Sequence, residues 1–279
     1  MSAPRRHSVD VAGVPAWLDP VRLLGPDFVW DAERAVWSAT RDVEQAADVQ
    51  ARLRGLGFDG CALDVVVIPP LGRAVVRAAR TIDARRRRET TPGFTRRGAQ
   101  LDAEGRFSLT PEALAVDCGR AAWAVGHRRV VDLGCGVGGN TMGFARAGLR
   151  VVAVEQDAER IEMARANARL YGVDARVEWR CSDAIDALSE LDPLDGDLLF
   201  VDPPWGESWD RVHVDPAGLP LLGAALAARG GRALWAKLPP SIDTRGLGAA
   251  HVEAVFGHAA GDMQRVKYLL VRWSPALNG

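Results

Sequence analysis

Cysteine is scarce in this chain of 279 residues, and what there is lies scattered at Cys61, Cys118, Cys135 and Cys181. No CxxC pair and no cysteine–histidine ligand spacing occurs, which excludes a zinc site or a disulfide framework. His127, His213, His251 and His258 likewise lack the spacing of a metal site or a nucleophile triad. Net charge is nearly absent as well, at −1, so the molecule is no polycation and any nucleic-acid contact must come from a local patch. Every apolar run stops well short of the length needed to span a bilayer, and no charged-then-apolar leader opens the sequence. Those absences point to a cytoplasmic protein. Internal repeats and low-complexity tracts are missing too. Hydrophobic residues make up 48% of the chain, enough for one large core or a core with a small attached domain.

What the chain does have is a glycine-rich turn followed by an acidic residue and a proline-rich tetrapeptide. The apolar run Arg129-Val130-Val131-Asp132-Leu133 leads into Gly134, Gly136 and Gly138, then Asn140 and a helical pattern. Glycines there let the chain turn tightly and bring its backbone close to a ligand. A second strand pattern ends in Glu155, at the offset where a carboxylate accepts hydrogen bonds from ribose hydroxyls. Asp132 argues against a pyrophosphate, because a carboxylate repels phosphate but attracts a sulfonium or an ammonium. The charges fit S-adenosylmethionine and do not fit NAD.

The tetrapeptide Asp202-Pro203-Pro204-Trp205 follows the apolar run Leu198-Leu199-Phe200-Val201. Taken alone it reads more readily as a stiffened turn after a buried strand. Behind a cofactor motif it predicts methyl transfer to a planar amine. Asp202 and the Pro203 carbonyl would accept the amine hydrogens, and Trp205 would stack on the ring. Trp209 is a packing aromatic on this reading, Trp179 and Trp235 sit in strand patterns as core, and Ser241-Ile242-Asp243 rims the pocket or forms a core turn.

From residue 110 onward strand and helix signals alternate. Thr110-Pro111-Glu112 reads as an N-cap followed by proline at the first helical position. Strands are expected near 129–133, 150–154, 176–180, 196–201, 232–237, 250–255 and 265–273, the last two as an edge hairpin. The fold class is α/β, a Rossmann-like doubly wound parallel sheet, with residues 96–279 as its domain and 1–95 as an N-terminal α/β extension or a small substrate-recognition domain with an Arg-rich linker. Ligands in such sheets sit at the carboxyl ends of the strands, where the glycines, Glu155, Asp183 and Asp202 would converge. Within 1–95 helical patterns are expected around Ala32 to Leu53, then a strand at Leu63–Ile68. An arginine cluster follows at Arg73, Arg77, Arg80, Arg85, Arg86, Arg87 and Arg88, continuing to Arg96 and Arg97. It is either a phosphate-tracking surface for RNA or a solvated helix and linker.

From Gly98 to Trp273 the chain resembles the trimethylguanosine synthases, the RNA cap guanine-N2 methyltransferases of the class I S-adenosylmethionine-dependent kind. The stretches that carry the resemblance are Leu101 to Glu112 (LDAEGRFSLTPE), Cys135 to Thr141 (CGVGGNT), Ala164 to Gly172 (ARANARLYG) and Pro203-Pro204-Trp205-Gly206. It implies that Thr110 and Pro111 lie beside the cofactor, Asp132 and the glycines hold its methionine part with Asn140 in the same motif, Glu155 its ribose and Asp183 its adenine. Pro203, Pro204 and Trp205 would hold the acceptor base. Two positions depart: the family has serine where this chain has Asp202, and glycine where it has Glu207. Asp202 resembles more general amino-methyltransferases, including those acting on adenine N6 and on guanine N2 of ribosomal RNA. The Ala, Arg and Gly abundance points to a GC-rich bacterial genome, where a cap is not the acceptor. The expected function is thus N-methylation of an exocyclic amine of RNA, guanine N2-like, and the alternative is N-methylation of a small molecule or protein.

Overall fold

Apolar runs of four to eight residues, bounded by charged positions or glycines, form the strands of one large sheet, and the amphipathic stretches between them form its helices. The computed structural model describes residues 6–190, 198–205, 209–248 and 250–275, so Gly206 and Glu207 lie outside the described residues. The first part of the chain contains β1 His7–Ala12, α1 Pro20–Leu24, β2 Val29–Asp31, β3 Val36–Arg41, α2 Val43–Leu53, β4 Gly57–Phe58, β5 Cys61–Ala62, β6 Asp64–Ile68 and α3 Arg73–Arg86. The second part contains α4 Gly105–Ser108, α5 Glu112–Ala124, β7 Arg129–Leu133, α6 Gly139–Arg146, β8 Arg150–Glu155, α7 Ala158–Tyr171, β9 Val177–Cys181, α8 Ala184–Glu190, β10 Leu198–Val201, α9 Pro220–Ala228, β11 Ala233–Leu238, β12 His251–Phe256 and β13 Val266–Trp273.

The large sheet runs in the order β12-β13-β11-β10-β7-β8-β9. Strands β7 to β11 are parallel, while β13 lies antiparallel between β11 and β12. The chain therefore winds outward from β7 through β8 and β9, then outward the other way from β10, and the reversal lies between β7 and β10. This is a doubly wound, Rossmann-like sheet. Both faces are covered, and β10 shows how: Leu198 and Phe200 pack with α5, α6 and α7, whereas Leu199 and Val201 pack with α8 and α9. Phe200 meets Phe144 of α6 edge-on, with ring centroids 5.0 Å apart. The edge hairpin expected at 250–273 is present.

The first part forms a four-stranded antiparallel sheet, β2-β3-β1-β6, with α2 on one face. Two expectations need correction. Residues 36–41 are a strand, not helix, because Trp37 and Ala39 face the core opposite Val11 and Val9 while Ser38 and Thr40 face away. The helix starts only at Val43, where Asp42 closes a capping box: its carboxylate accepts from Gln45 N at 2.8 Å and its own N–H donates to Gln45 Oε1. Thr110 is no cap either. Pro111 occupies the cap position of α5, and the buried Thr110 hydroxyl has no partner among the described residues. The core of this smaller sheet includes Phe256 of β12, so it packs on the hairpin edge of the large one. Among the described residues no helix is long and apolar enough to cross a membrane, and no cluster of His, Cys, Asp and Glu could hold a metal ion.

Candidate active site

At the end of β7 the backbone folds back over β8, with the N–H groups of Gly134 and Cys135 both donating to the Val154 carbonyl at 3.0 and 2.9 Å. Gly134, Gly136 and Gly138 all have positive φ, at 82°, 54° and 91°, a region that costs glycine nothing. A side chain at Gly136 would meet nothing within 4 Å, so the turn leaves open space above it. Glu155, at the end of β8, spans this turn: Oε2 accepts from Gly136 N at 2.9 Å and Oε1 from Asp157 N at 3.1 Å. Asp183 is exposed at the end of the next strand, and its Oδ1 accepts the first N–H groups of α8, from Ile185 and Asp186.

Beneath the turn lies Asp132, fully buried. Thr141 donates to its Oδ2 at 2.5 Å, while Oδ1 has no partner among the described residues. Burial pushes the Asp132 carboxyl up to about 7, against the Thr141 hydrogen bond and reinforced by the nearby charge of Asp202. An unpaired buried acceptor of this kind is costly unless a donor or a cation reaches it.

Asp202 follows β10, across the reversal point from the glycine turn. A side chain at Gly134 would lie 3.1 Å from the Asp202 carbonyl oxygen, which brings the two motifs into direct contact. Oδ2 of Asp202 accepts from Lys237 Nζ at 2.7 Å and from Asn140 Nδ2 at 2.9 Å. Burial raises the Asp202 pKa, and the Lys237 charge opposes the rise. Lys237 also donates to the Ser108 carbonyl at 2.9 Å, joining β11 to α4. Its ammonium lies 5.3 Å from the centre of the Trp205 ring. Trp205 in turn meets Trp209 edge-on at 5.9 Å. Pro203 is buried and Pro204 exposed.

The structure thus gathers Asp132, Asn140, the glycines, Glu155 and Asp202 around one turn. Asn140, expected on the cofactor side, donates from its side chain to Asp202 of the tetrapeptide. Ser241 is fully buried and donates to the Asp210 carbonyl at 2.6 Å, so that segment ties down the loop beyond Trp209. Sequence reasoning missed Lys237. Its signal was a lone charge inside the apolar run Ala233-Leu234-Trp235-Ala236-Lys237-Leu238, in a chain that otherwise contains only Lys267 besides it.

Away from this turn, Arg73, Arg77, Arg80, Arg85 and Arg88 are exposed and have no acidic partner among the described residues. Arg86 and Arg87 are tied up, pairing with Asp48 and Asp83.

Residues 127–210 match the RNA cap guanine-N2 methyltransferase family. The resemblance holds over that segment. The chain is 34% identical over 128 residues to the trimethylguanosine synthase of Saccharomyces cerevisiae, covering 40% of each chain. It is 40% identical over 80 residues to a 23S rRNA (uracil(1939)-C(5))-methyltransferase of Azoarcus, covering 27% of this chain and 18% of that one. It therefore spans less than half the length of these curated relatives. Among solved structures it is similar to a putative RNA methyltransferase of Pyrococcus horikoshii, with a TM-score of 0.44, 15% identity and coverage of 66% of this chain and 93% of that one. That distance carries no functional information.

Proposed function

We propose that this protein is an S-adenosylmethionine-dependent N-methyltransferase of the cytoplasm that acts on an exocyclic amine of RNA, guanine N2-like. The observation that carries the proposal is the contact between the two motifs: the Asp202 tetrapeptide sits against the glycine turn at the sheet's reversal point. A donor site and an acceptor site are then neighbours. The segment matched to the RNA cap guanine-N2 family covers both, and of the relatives described above one is named for making trimethylguanosine and the other for methylating 23S rRNA.

The residues fit the cofactor. Positive-φ glycines leave open space above the turn, Glu155 ends β8 within reach of that space, and Asp132 presents an unpaired buried oxygen. Thr110, with its own unpaired hydroxyl, contacts the turn at Gly139, and Asp183 lies at the next strand end as the acceptor for the adenine. When bound, S-adenosylmethionine supplies a methyl group on a cationic sulfur. The chain supplies position and charge. Trp205 stacks on the base, with Pro203 and Pro204 stiffening the turn that carries it, and Asp202 accepts an amine hydrogen. No strong base is needed, because the amine becomes acidic only as its lone pair is committed, and the carboxylate of Asp202 then takes the proton.

The acceptor belongs to RNA on this reading because Arg73, Arg77, Arg80, Arg85 and Arg88 present exposed guanidinium groups, without an acidic partner among the described residues, that suit phosphate oxygens. Residues 1–95 act as the recognition unit. A base within folded RNA must leave its stack to enter such a pocket. The test is transfer of a labelled methyl group from S-adenosylmethionine to separate RNA, DNA, protein and metabolite fractions, with Asp202→Ala as the blank. Label is expected in RNA and lost in the variant; label confined to the other fractions overturns the assignment to RNA.

A further inference from the structure

The two carboxylate oxygens of Asp202 have different surroundings. Oδ2 is held twice, by Lys237 Nζ at 2.7 Å and by Asn140 Nδ2 at 2.9 Å. Oδ1 receives no hydrogen bond from the described residues, and the Asp202 side chain keeps 15% of its surface exposed. Lys237 is itself nearly buried, with 7% of its side chain exposed, and is fixed from a second side by the Ser108 carbonyl. A lysine held by two acceptors and packed beside the Trp205 and Tyr268 rings has little rotamer freedom left.

We propose that Lys237, assisted by Asn140, is the positioning residue of the acceptor site: together they anchor Oδ2 of Asp202 and leave Oδ1 as the single acceptor for one N–H of the substrate amine. The proposal rests on the N-methyltransferase reading above. It sets a substrate requirement, since the atom that meets Oδ1 must carry a hydrogen. Exocyclic amines qualify, and a ring nitrogen that offers only a lone pair does not. Anchoring also keeps the carboxylate charged. Among the described residues, the ionisable groups facing Asp202 are Lys237 from β11, Asp132 from β7 and Tyr268 from β13, and of these only Lys237 brings positive charge. In the transfer, the amine lone pair forms the new bond to the methyl carbon, the carbon–sulfur bond breaks with its pair going to sulfur, and the amine proton moves to Oδ1.

The test uses the full chain in two measurements. The first follows the carboxyl carbon of Asp202 by NMR across pH in the cofactor-free protein, for wild type, Lys237→Met and Asn140→Ala. The midpoint is expected to move to higher pH in Lys237→Met, and by less in Asn140→Ala. The second is the pH profile of methyl transfer to RNA. In Lys237→Met the acid limb should move up in pH, with kcat at pH 7 about tenfold lower or more and affinity for S-adenosylmethionine within about twofold of wild type; Lys237→Arg should recover most of the loss. Variants that titrate and turn over like wild type overturn the proposal. A wild type that transfers no methyl group, while the carboxyl midpoint still moves, overturns the methyltransferase reading and leaves the anchor standing.

Discussion

Asp132 and Asp202 are both buried carboxyls whose pKa values lie above the ordinary carboxylate value, yet their neighbours prepare them for different tasks. Asp202 has a lysine against it; Asp132 has a threonine hydroxyl on one oxygen and no partner among the described residues on the other. With its pKa at about 7, Asp132 is partly protonated in the free protein near neutrality, and a cationic ligand above it would favour the charged form. Affinity for S-adenosylmethionine should therefore rise as pH goes from 6 to 8 and then level off, with a proton released on binding at the lower end. Titration calorimetry in buffers of different ionisation heat checks this, and Asp132→Asn should flatten the dependence. Glu155→Ala should weaken cofactor binding while leaving kcat at saturation nearly unchanged, since Glu155 contacts the turn and not Asp202. Equal losses in both constants would contradict that division. Asp202, the glycines and Glu155 were legible in the sequence because each belongs to a local motif. Lys237 was not, because its meaning depends on Asp202, 35 positions away and on a neighbouring strand.

At the scale of elements, legibility followed burial. Strands β7, β8, β10 and β11 are covered on both faces and read as continuous apolar runs, so their placement from sequence came within a residue or two. In the smaller sheet one face carries polar residues, and the alternation in Val36–Arg41 is short enough to blur into the helix that follows. The packing of α5 on α6 is close and has a sharp test. A Cβ on Gly143 would lie 2.3 Å from the Ala115 backbone, where nothing flexible can yield. Gly143→Ala should force the two helices apart and lower stability by about 1–3 kcal/mol in urea unfolding. Because Ala115 stands one turn into the helix that Thr110 and Pro111 precede, the same variant should also loosen cofactor binding. Phe200→Ala, which empties the space against Phe144, should cost about 3–5 kcal/mol.

At the scale of the whole molecule, the arginine helix α3 is not free to swing relative to the large sheet. Arg265, just before β13, pairs with Asp83 of α3, and Asp262 holds Thr91 through bonds of 2.8 and 2.9 Å from its hydroxyl and its N–H. The exposed arginines therefore keep a fixed relation to the site, as a surface that aligns a long polyanion with a pocket requires. Replacing Arg73, Arg77 and Arg80 together by alanine should weaken RNA binding across sequences. The slope of log affinity against log salt should become shallower by about 1 for each phosphate that is no longer neutralised, with methyl transfer to a free nucleoside unaffected. A slope equal to that of wild type would return the cluster to a solvated helix. This part of the chain was the least legible: its arginines stood out in the sequence, but the antiparallel sheet and its packing against Phe256 depend on long-range pairing. The most direct test of the whole account is the identity of the methylated nucleoside after RNA is incubated with the protein and S-adenosylmethionine, digested and analysed by mass spectrometry. A methyl group on an exocyclic amine, guanine N2 foremost, absent with Asp202→Ala, is the predicted result; a methyl group on a ring carbon or a ribose oxygen would contradict it.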